Sequence, residues 1–272
     1  MPHPFLQLAI QSFKLDMQWV ATPNIPEKYV FLLKKYIFLI FYPLFWNSNA
    51  KAYRISLWDR KIFLENRENL GLIQSVFVHN HQLKKIVPAH GVIIDIGAHT
   101  GEFALFCDIY LRAKTVYSFE PVAKSYALLA QNKKDHTYHM AISTKPNLVM
   151  HIPKHTAMTS PFPVPGESTQ ERTACTTLDA MPEIRSISSI DLLKIDVEGM
   201  EYDVLAASTQ TLQKSQHILL EMSVNRPSSK PALETLSYLA TIIPGIALTH
   251  IGQIFQDNTK VIAADMVFHR PK

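Results

Sequence analysis

Cysteine is scarce in this sequence. Only Cys107 and Cys175 occur in 272 residues, with no CxxC pair. That excludes a disulfide framework and a thiolate zinc site, and a thiol-poor chain fits a reducing, cytoplasmic setting. Charge is sparse as well. Asp, Glu, Lys and Arg make up 18% of the residues and the net charge is +4, far from the footprint of a dedicated nucleic-acid binder, so no nucleic-acid partner is expected. Long apolar runs are missing: the richest uncharged stretch, residues 36–46, is eleven residues long and is interrupted by Pro43. A membrane-crossing helix needs ~20 apolar residues. The first residues also lack a basic segment leading into an apolar core, so no secretory signal is expected. A Gly-x-Gly-x-x-Gly turn, the usual cradle for a dinucleotide pyrophosphate, is absent too.

What the chain has is apolar side chain, 47% of its residues, enough for a packed globular core. Its pattern divides into three parts: an apolar helical segment over 1–50, a hairpin and helix over 51–90, and an α/β domain over 91–272. In the first part, helices are predicted over 5–20 and 26–41, separated by Pro23 and Pro26. Phe38, Phe41, Tyr42, Phe45 and Trp46 suit a bilayer interface, and Lys34 and Lys35 suit anionic headgroups. The segment is therefore expected to make peripheral membrane contact through residues 4–46, the competing reading being a cap on the main domain or a subunit interface. Residues 53–65 alternate in polarity around Trp58-Asp59-Arg60, a β-hairpin pattern. A helix is expected over 70–87, stopped by Pro88.

From Val92 onward short apolar strands alternate with helices, the signature of a doubly wound, Rossmann-like sheet. Strands are predicted over 92–96, 115–120, 138–142, 190–196, 218–222, 246–251 and 264–269, and helices over 101–112, 122–133, 201–213 and 231–241. Residues 152–176, rich in Pro, Ser and Thr, read as a long loop or lid.

Three motifs carry chemistry. In Asp95-Ile96-Gly97-Ala98-His99-Thr100-Gly101 a buried strand enters a glycine turn and a helix start, where free N–H groups suit a single carboxylate. Glu120 ends the next strand about 20 residues later, placed to accept hydrogen bonds from two ribose hydroxyls. Asp196, Glu198 and Glu201 follow the strand over 190–196. Acids so close repel one another, which raises at least one pKa and prepares a proton acceptor. Glu201 reads equally well as a cap of its own helix. His79 and His81 form an HxH pair with no acid or thiolate nearby, so no metal site is expected there, and His151 and His155 read as solvated.

In order, Asp95-Ile96-Gly97-Ala98-x-x-Gly101, Phe119-Glu120-Pro121, Ala141-Ile142-Ser143, Thr177-Leu178-Asp179, Leu193-Lys194-Ile195-Asp196-Val197-Glu198-Gly199-x-Glu201, Leu219-Leu220-Glu221 and Asp265-Met266-Val267-Phe268 resemble the FkbM family of methyltransferases, over about residues 53–270. The resemblance implies a seven-stranded sheet with an antiparallel last strand and S-adenosyl-L-methionine as cofactor. It implies that Asp95, Gly97, Ala98, His99 and Gly101 lie along the methionine moiety, Glu120 at the ribose, Ala141 and Ile142 near the adenine, and Asp196 beside the reactive methyl. It further implies O-methylation of a sugar, glycan or natural-product hydroxyl, with Asp196 as first candidate base and Glu198 as second. His99 stands where the family usually has Asn, and the segment between Glu120 and Ala141 is short, which leaves the polar adenine partner unassigned. The rival readings are an NAD(P)- or nucleotide-binding enzyme and an inactive methyltransferase-fold binding subunit.

Overall fold

The structure, a computed structural model, describes residues 4–22, 25, 27–45, 52–66, 68–153, 159–163, 166–226, 229–257 and 260–271, with the side chains of 4–11 and 41–45 left out. Trp46 and His155, and the side chains of Phe41, Tyr42 and Phe45, therefore lie outside the described residues. The chain opens with α1 (Pro4–Ala21) and α2 (Lys28–Phe45), then the hairpin β1 (Tyr53–Leu57) and β2 (Arg60–Leu64), then α3 (Glu68–Asn80). The α/β part follows as β3 (Val92–Ile96), α4 (Glu102–Phe106), β4 (Thr115–Phe119), α5 (Ala123–Asn132), β5 (Thr137–Tyr138), β6 (Ala141–Ile142), β7 (Asn147–Pro153) and β8 (Ser168–Thr176). It continues with α6 (Pro182–Arg185), β9 (Ile190–Ile195), α7 (Glu201–Ala206), α8 (Thr209–Lys214), β10 (Ser215–Ser223), α9 (Ala232–Ile242), β11 (Ala247–Asp257) and β12 (Lys260–His269).

Seven strands form the main sheet in the order β11-β12-β10-β9-β3-β4-β5. The five from β10 to β5 are parallel, and β12 runs antiparallel to both β10 and β11. Parallel strands are covered on both faces, so they read as near-continuous apolar runs. Ile93, Ile94, Leu192, Leu193 and Ile195 are accordingly all buried. The seven-stranded α/β sheet with its antiparallel last strand is the expected one.

Several local expectations need correction. The strand expected over 138–142 is two: β5 stays in the main sheet, while β6 leaves it to pair with β8, Ala141 opposite Cys175. Residues 152–176 are not one long loop, because β7 and β8 pair antiparallel from Asn147↔Ala174 to Pro153↔Ser168. The helix expected over 201–213 breaks into α7 and α8. Asp179, far away in sequence, caps α8 by accepting from the N–H of Gln210 at 2.9 Å and of Thr211 at 2.9 Å. The helix expected over 101–112 ends at Phe106 and continues as a wider π-type turn, Cys107–Leu111.

The N-terminal helices share the core of the sheet. Trp19 stacks on Phe31 at 4.8 Å between ring centroids, and Phe77 of α3 contacts Trp19 at 5.6 Å, Trp58 at 5.0 Å and Phe106 at 5.2 Å. The same apolar cluster reaches Leu192, Leu219 and Val267 in the sheet. Trp58 holds a left-handed backbone (φ 51°) in the hairpin turn, a conformation unusual for a bulky residue that its buried stacking offsets. Lys35, expected to face headgroups, is instead buried. Its Nζ pairs with Asp16 at 2.6 Å and donates to Gln74 at 2.8 Å, and Tyr36 adds a hydrogen bond to Asp16. The outer stripe stays exposed: Phe13 and Met17 on α1, Tyr29, Leu33, Ile37 and Ile40 on α2. Among the described residues no helix is long and apolar enough to cross a membrane.

Because Trp19 is fully buried in this cluster, Trp19→Ala is expected to cost about 3–5 kcal/mol. Urea unfolding measures it, and a loss under about 1 kcal/mol would show that α1 is not packed into the core.

Candidate active site

The turn after β3 is shaped by its neighbours. The N–H groups of Gly97 and Ala98 both donate to the carbonyl of Phe119 at 3.0 Å, and the N–H of Asp196 donates to Ile96 at 3.0 Å. Gly97 has φ +81°, and a Cβ there would lie 1.7 Å from the Asp196 carbonyl oxygen. Only glycine fits this position. Gly101 (φ +99°) would place a Cβ 3.2 Å from Leu129, so the protein as well as any ligand calls for both glycines.

Beyond the turn, Glu120 is buried at the end of β4. One of its oxygens accepts from the His99 N–H at 2.9 Å and the other from the Val122 N–H at 2.9 Å. Burial pushes its carboxyl up to about 7, with His99 and the two N–H groups opposing. Burial works against a charge on His99 too, but Glu102, by charge and hydrogen bond, outweighs it and raises His99 to about 9. Burial likewise raises Glu102, yet His99 and the Thr100 hydroxyl overcome it and hold Glu102 at about 2. His99 Nδ1 lies 3.2 Å from Glu102, and Asn69 donates to Glu102 at 3.1 Å. Sequence reasoning missed Glu102 and Asn69. Asn69 reaches Glu102 from 33 residues away in the chain, and a Glu in a first helical turn looks like ordinary capping.

A second charged group gathers at the end of β9. The buried Lys194 lies 3.2 Å from Asp95 and 3.1 Å from Asp196. Burial would lower its pKa, but Asp196 and Asp95 outweigh burial and raise it. Glu198, in left-handed backbone (φ 54°), pairs with Arg226. Burial raises Glu198 despite Arg226, and Asp196 and Glu201 add to the rise. Asp196, Glu198 and Glu221 each place a carboxylate oxygen within 4.8 Å of the others. Glu201 is buried and accepts from the Gly199 N–H at 2.9 Å and the Ser223 hydroxyl at 2.8 Å, which is the capping role.

One cavity joins the two groups. Of the expected residues, Gly97, Ala98, His99, Glu120, Ala141, Ile142, Asp196 and Glu198 line it. Asp95 and Gly101, expected along the cofactor, do not. Asp95 is turned beneath the turn toward Lys194, and Gly101 packs on α5. Lys194 and Met140 also line the cavity and were not anticipated as site residues. A second cavity adjoins it, with Leu72, Val76, Phe103, Lys194, Asp196 and Glu198 on the common wall. His79 lies on that second cavity, its Nδ1 3.0 Å from Ser75, while His81 bonds the Val78 carbonyl at 2.7 Å, so each HxH ring is tied to its own helix.

The family described as Methyltransferase FkbM domain matches residues 95–242. The chain belongs to the FkbM methyltransferase family. No curated protein matches the chain at a significant level. Solved structures similar in shape include M. jannaschii TYW2 in complex with AdoMet, at 13% identity over 83% of this chain and 90% of that chain, with a TM-score of 0.42. Aeropyrum pernix fibrillarin with natively bound S-adenosyl-L-methionine shares 11% identity over 82% of this chain and 84% of that chain, with a TM-score of 0.43. The Synechocystis magnesium protoporphyrin IX methyltransferase with bound SAM shares 9% over 73% of this chain and 84% of that chain, with a TM-score of 0.39. At these scores none bears on what the FkbM chain acts on.

The cavity of this FkbM methyltransferase fits S-adenosylmethionine, the family's cofactor. Each Glu120 oxygen holds one backbone N–H and keeps a lone pair for a ribose hydroxyl. Phe119, Met140, Ala141 and Ile142 line the cavity with apolar surface, and His99, raised to about 9, brings a cation to its wall. Each hydrogen bond to a charged group contributes ~1.5–3 kcal/mol. Glu120→Ala is therefore expected to weaken S-adenosylmethionine binding at least tenfold by calorimetry, and unchanged affinity in a folded variant would refute the ribose role. Glu120 is a full acceptor only above about 7, and His99 keeps its proton only below about 9. Wild-type affinity is thus expected to peak between those pH values.

Proposed function

We propose that this methyltransferase acts on a hydroxyl of a sugar, glycan or natural-product acceptor, with Asp196 taking the proton. The observation that carries this reading is the place of Asp196. It lies on the wall common to both cavities, 33% exposed at its side chain, with Lys194 holding one carboxylate oxygen at 3.1 Å. Bound S-adenosylmethionine supplies a methyl already activated on a sulfonium. What remains for the protein is to align the acceptor, exclude water and receive one proton. Lys194 fixes the direction of the Asp196 carboxylate, and the other oxygen is left to accept the hydroxyl proton. Glu198 is the second candidate, because its carboxylate is already paired with Arg226. The apolar Leu72, Val76 and Phe103 on the common wall limit water.

Asp196→Asn keeps size and hydrogen bonding but removes basicity, and Lys194 retains Asp95 as partner. Transfer of an isotope-labelled methyl group to glycan and metabolite pools is expected to fall by about 10²-fold, with cofactor affinity little changed. Turnover near wild type would move the role to Glu198 or dispense with a base.

Contact of residues 4–46 with an anionic lipid surface also remains a proposal, and the exposed outer stripe of α1 and α2 supports it. Weak, salt-sensitive flotation with anionic liposomes is expected of the full chain. Leu33→Glu with Ile40→Glu, both at exposed positions, should abolish it. If neither protein floats, or both do equally, the stripe does not bind lipid.

A further inference from the structure

The cofactor cavity reaches beyond the family match at 95–242, because Leu72 and Val76 of α3 line it. Two asparagines join the corner between β2 and α3 to the turn that follows β3. Asn132 of α5 accepts from the Phe63 N–H at 2.8 Å and donates to the carbonyls of Phe63 at 2.9 Å and Thr100 at 2.8 Å. Asn69 of α3 is buried and makes four hydrogen bonds, two accepted and two donated. That is the full capacity of a carboxamide.

The local sequence decides which way that carboxamide points. Asn66 accepts from the Glu68 N–H at 2.7 Å, and Asn69 accepts back from the Asn66 N–H at 3.0 Å, the reciprocal pattern that closes a helix start. The Glu65 N–H adds a second bond to the same Oδ1 at 2.9 Å. With its oxygen committed to two N–H groups, Asn69 must turn its NH2 toward α4. There it donates to the Thr100 hydroxyl at 3.2 Å and to Oε1 of Glu102 at 3.1 Å. The Thr100 hydroxyl donates to that same Oε1 at 2.5 Å. Two donors thus fix a carboxylate whose terminal torsion is otherwise broad. Both Glu102 oxygens are held close to His99 Nδ1, at 3.2 and 3.3 Å.

We infer that the β2–α3 corner is a working part of the cofactor site, with Asn69 the positioning residue that holds Glu102 against His99 and so presents a cationic ring to the carboxylate of S-adenosylmethionine. His99 and Glu102 line the cavity, and Asn69 stands behind them and acts through Glu102. Burial works against a charge on His99, and three acids favour it. They are Glu102 of α4, Glu120 at the end of β4, and Glu65 just past β2, the last paired with Lys124 at 2.7 Å. Glu102 contributes most, by charge and by hydrogen bond. Without Asn69 its carboxylate can turn, and water enters beside it. Both changes weaken its hold on the His99 proton. His99 then loses that proton at lower pH, and the cavity loses its cation as pH rises. A purely structural Asn69 would only tie the corner down, as Asn132 does, and would leave the His99 titration in place.

NMR titration of the His99 ring in the full chain without cofactor tests this, the resonance being assigned by its loss in His99→Asn. The wild-type midpoint is expected at about 9, and that of Asn69→Ala about one pH unit lower. Asn132→Ala loosens the same corner without touching a carboxylate and should leave the midpoint unchanged. In a Glu102→Gln background, Asn69→Ala should shift it no further, because the effect runs through Glu102. Calorimetric affinity for S-adenosylmethionine should fall off at high pH about one pH unit earlier in Asn69→Ala than in wild type. Circular dichroism reports folding. Asn69→Ser keeps an acceptor for the helix start and lacks the NH2, so it replaces the alanine variant should that one not fold. A midpoint unmoved by the loss of Asn69, moved equally by Asn132→Ala, or moved again in the Glu102→Gln background overturns the inference. A shifted midpoint with an unshifted affinity profile overturns the tie to the cofactor.

Discussion

The ends of β3 and β9 approach so closely that Gly97 has no room for a side chain against the Asp196 carbonyl. Everything at the site follows from that seam. It sends the chain after β3 into a left-handed glycine, which turns Ala98 and His99 toward the cavity. It also fixes the backbone of Asp196 through its N–H to Ile96. Beneath the seam Lys194 binds Asp95 on one strand and Asp196 on the other. A lone buried ammonium or carboxylate would be costly, and removing one partner from such a group leaves an uncompensated charge. The three residues therefore behave as a unit that ties the glycine turn to the Asp196 carboxylate.

Charge is arranged at two poles of the cavity. At one, His99 lies between Glu102 and Glu120. At the other, Lys194 and Arg226 face Asp196 and Glu198. Burial raises most of these carboxyls, and the cations decide which of them stay ionised. Glu102 does so firmly because His99 and Thr100 both bond to it, whereas Glu120 and Glu198 rise into the neutral range. His99 and Glu198 both adopt left-handed backbone, a local strain that packed surroundings must hold in place. Both of these strained residues line the cavity, beside carboxyls whose pKa values are displaced.

The N-terminal helices illustrate how one apolar pattern serves two faces. Trp19 and Phe31 point inward to Phe77, while Phe13, Leu33 and Ile40 point outward. A helix 3.6 residues per turn cannot bury every apolar side chain against one partner. Lys35 lies on the inner side and is neutralised by Asp16, so its charge belongs to the packing and not to the surface.

By itself the sequence determined the core strands β3, β4, β9, β10, β11 and β12 and the three motifs at strand ends. Short apolar runs bounded by turn residues read as covered strands, and a glycine turn or a terminal acid has few other uses. Periodicity also located the hairpin around Trp58 and the apolar helices before it. Tertiary structure alone decided which strands pair and what each charge meets. The split of residues 138–142 depends on β8, more than 30 residues away. The break before α8 depends on Asp179. Asp95 lies in the motif, yet Lys194 draws it away from the cavity wall, and Glu221 lies in another motif, yet only the β12 register sets Asp265 against it. Spacing along a chain records local geometry, whereas a buried charge is defined by partners that only folding brings near.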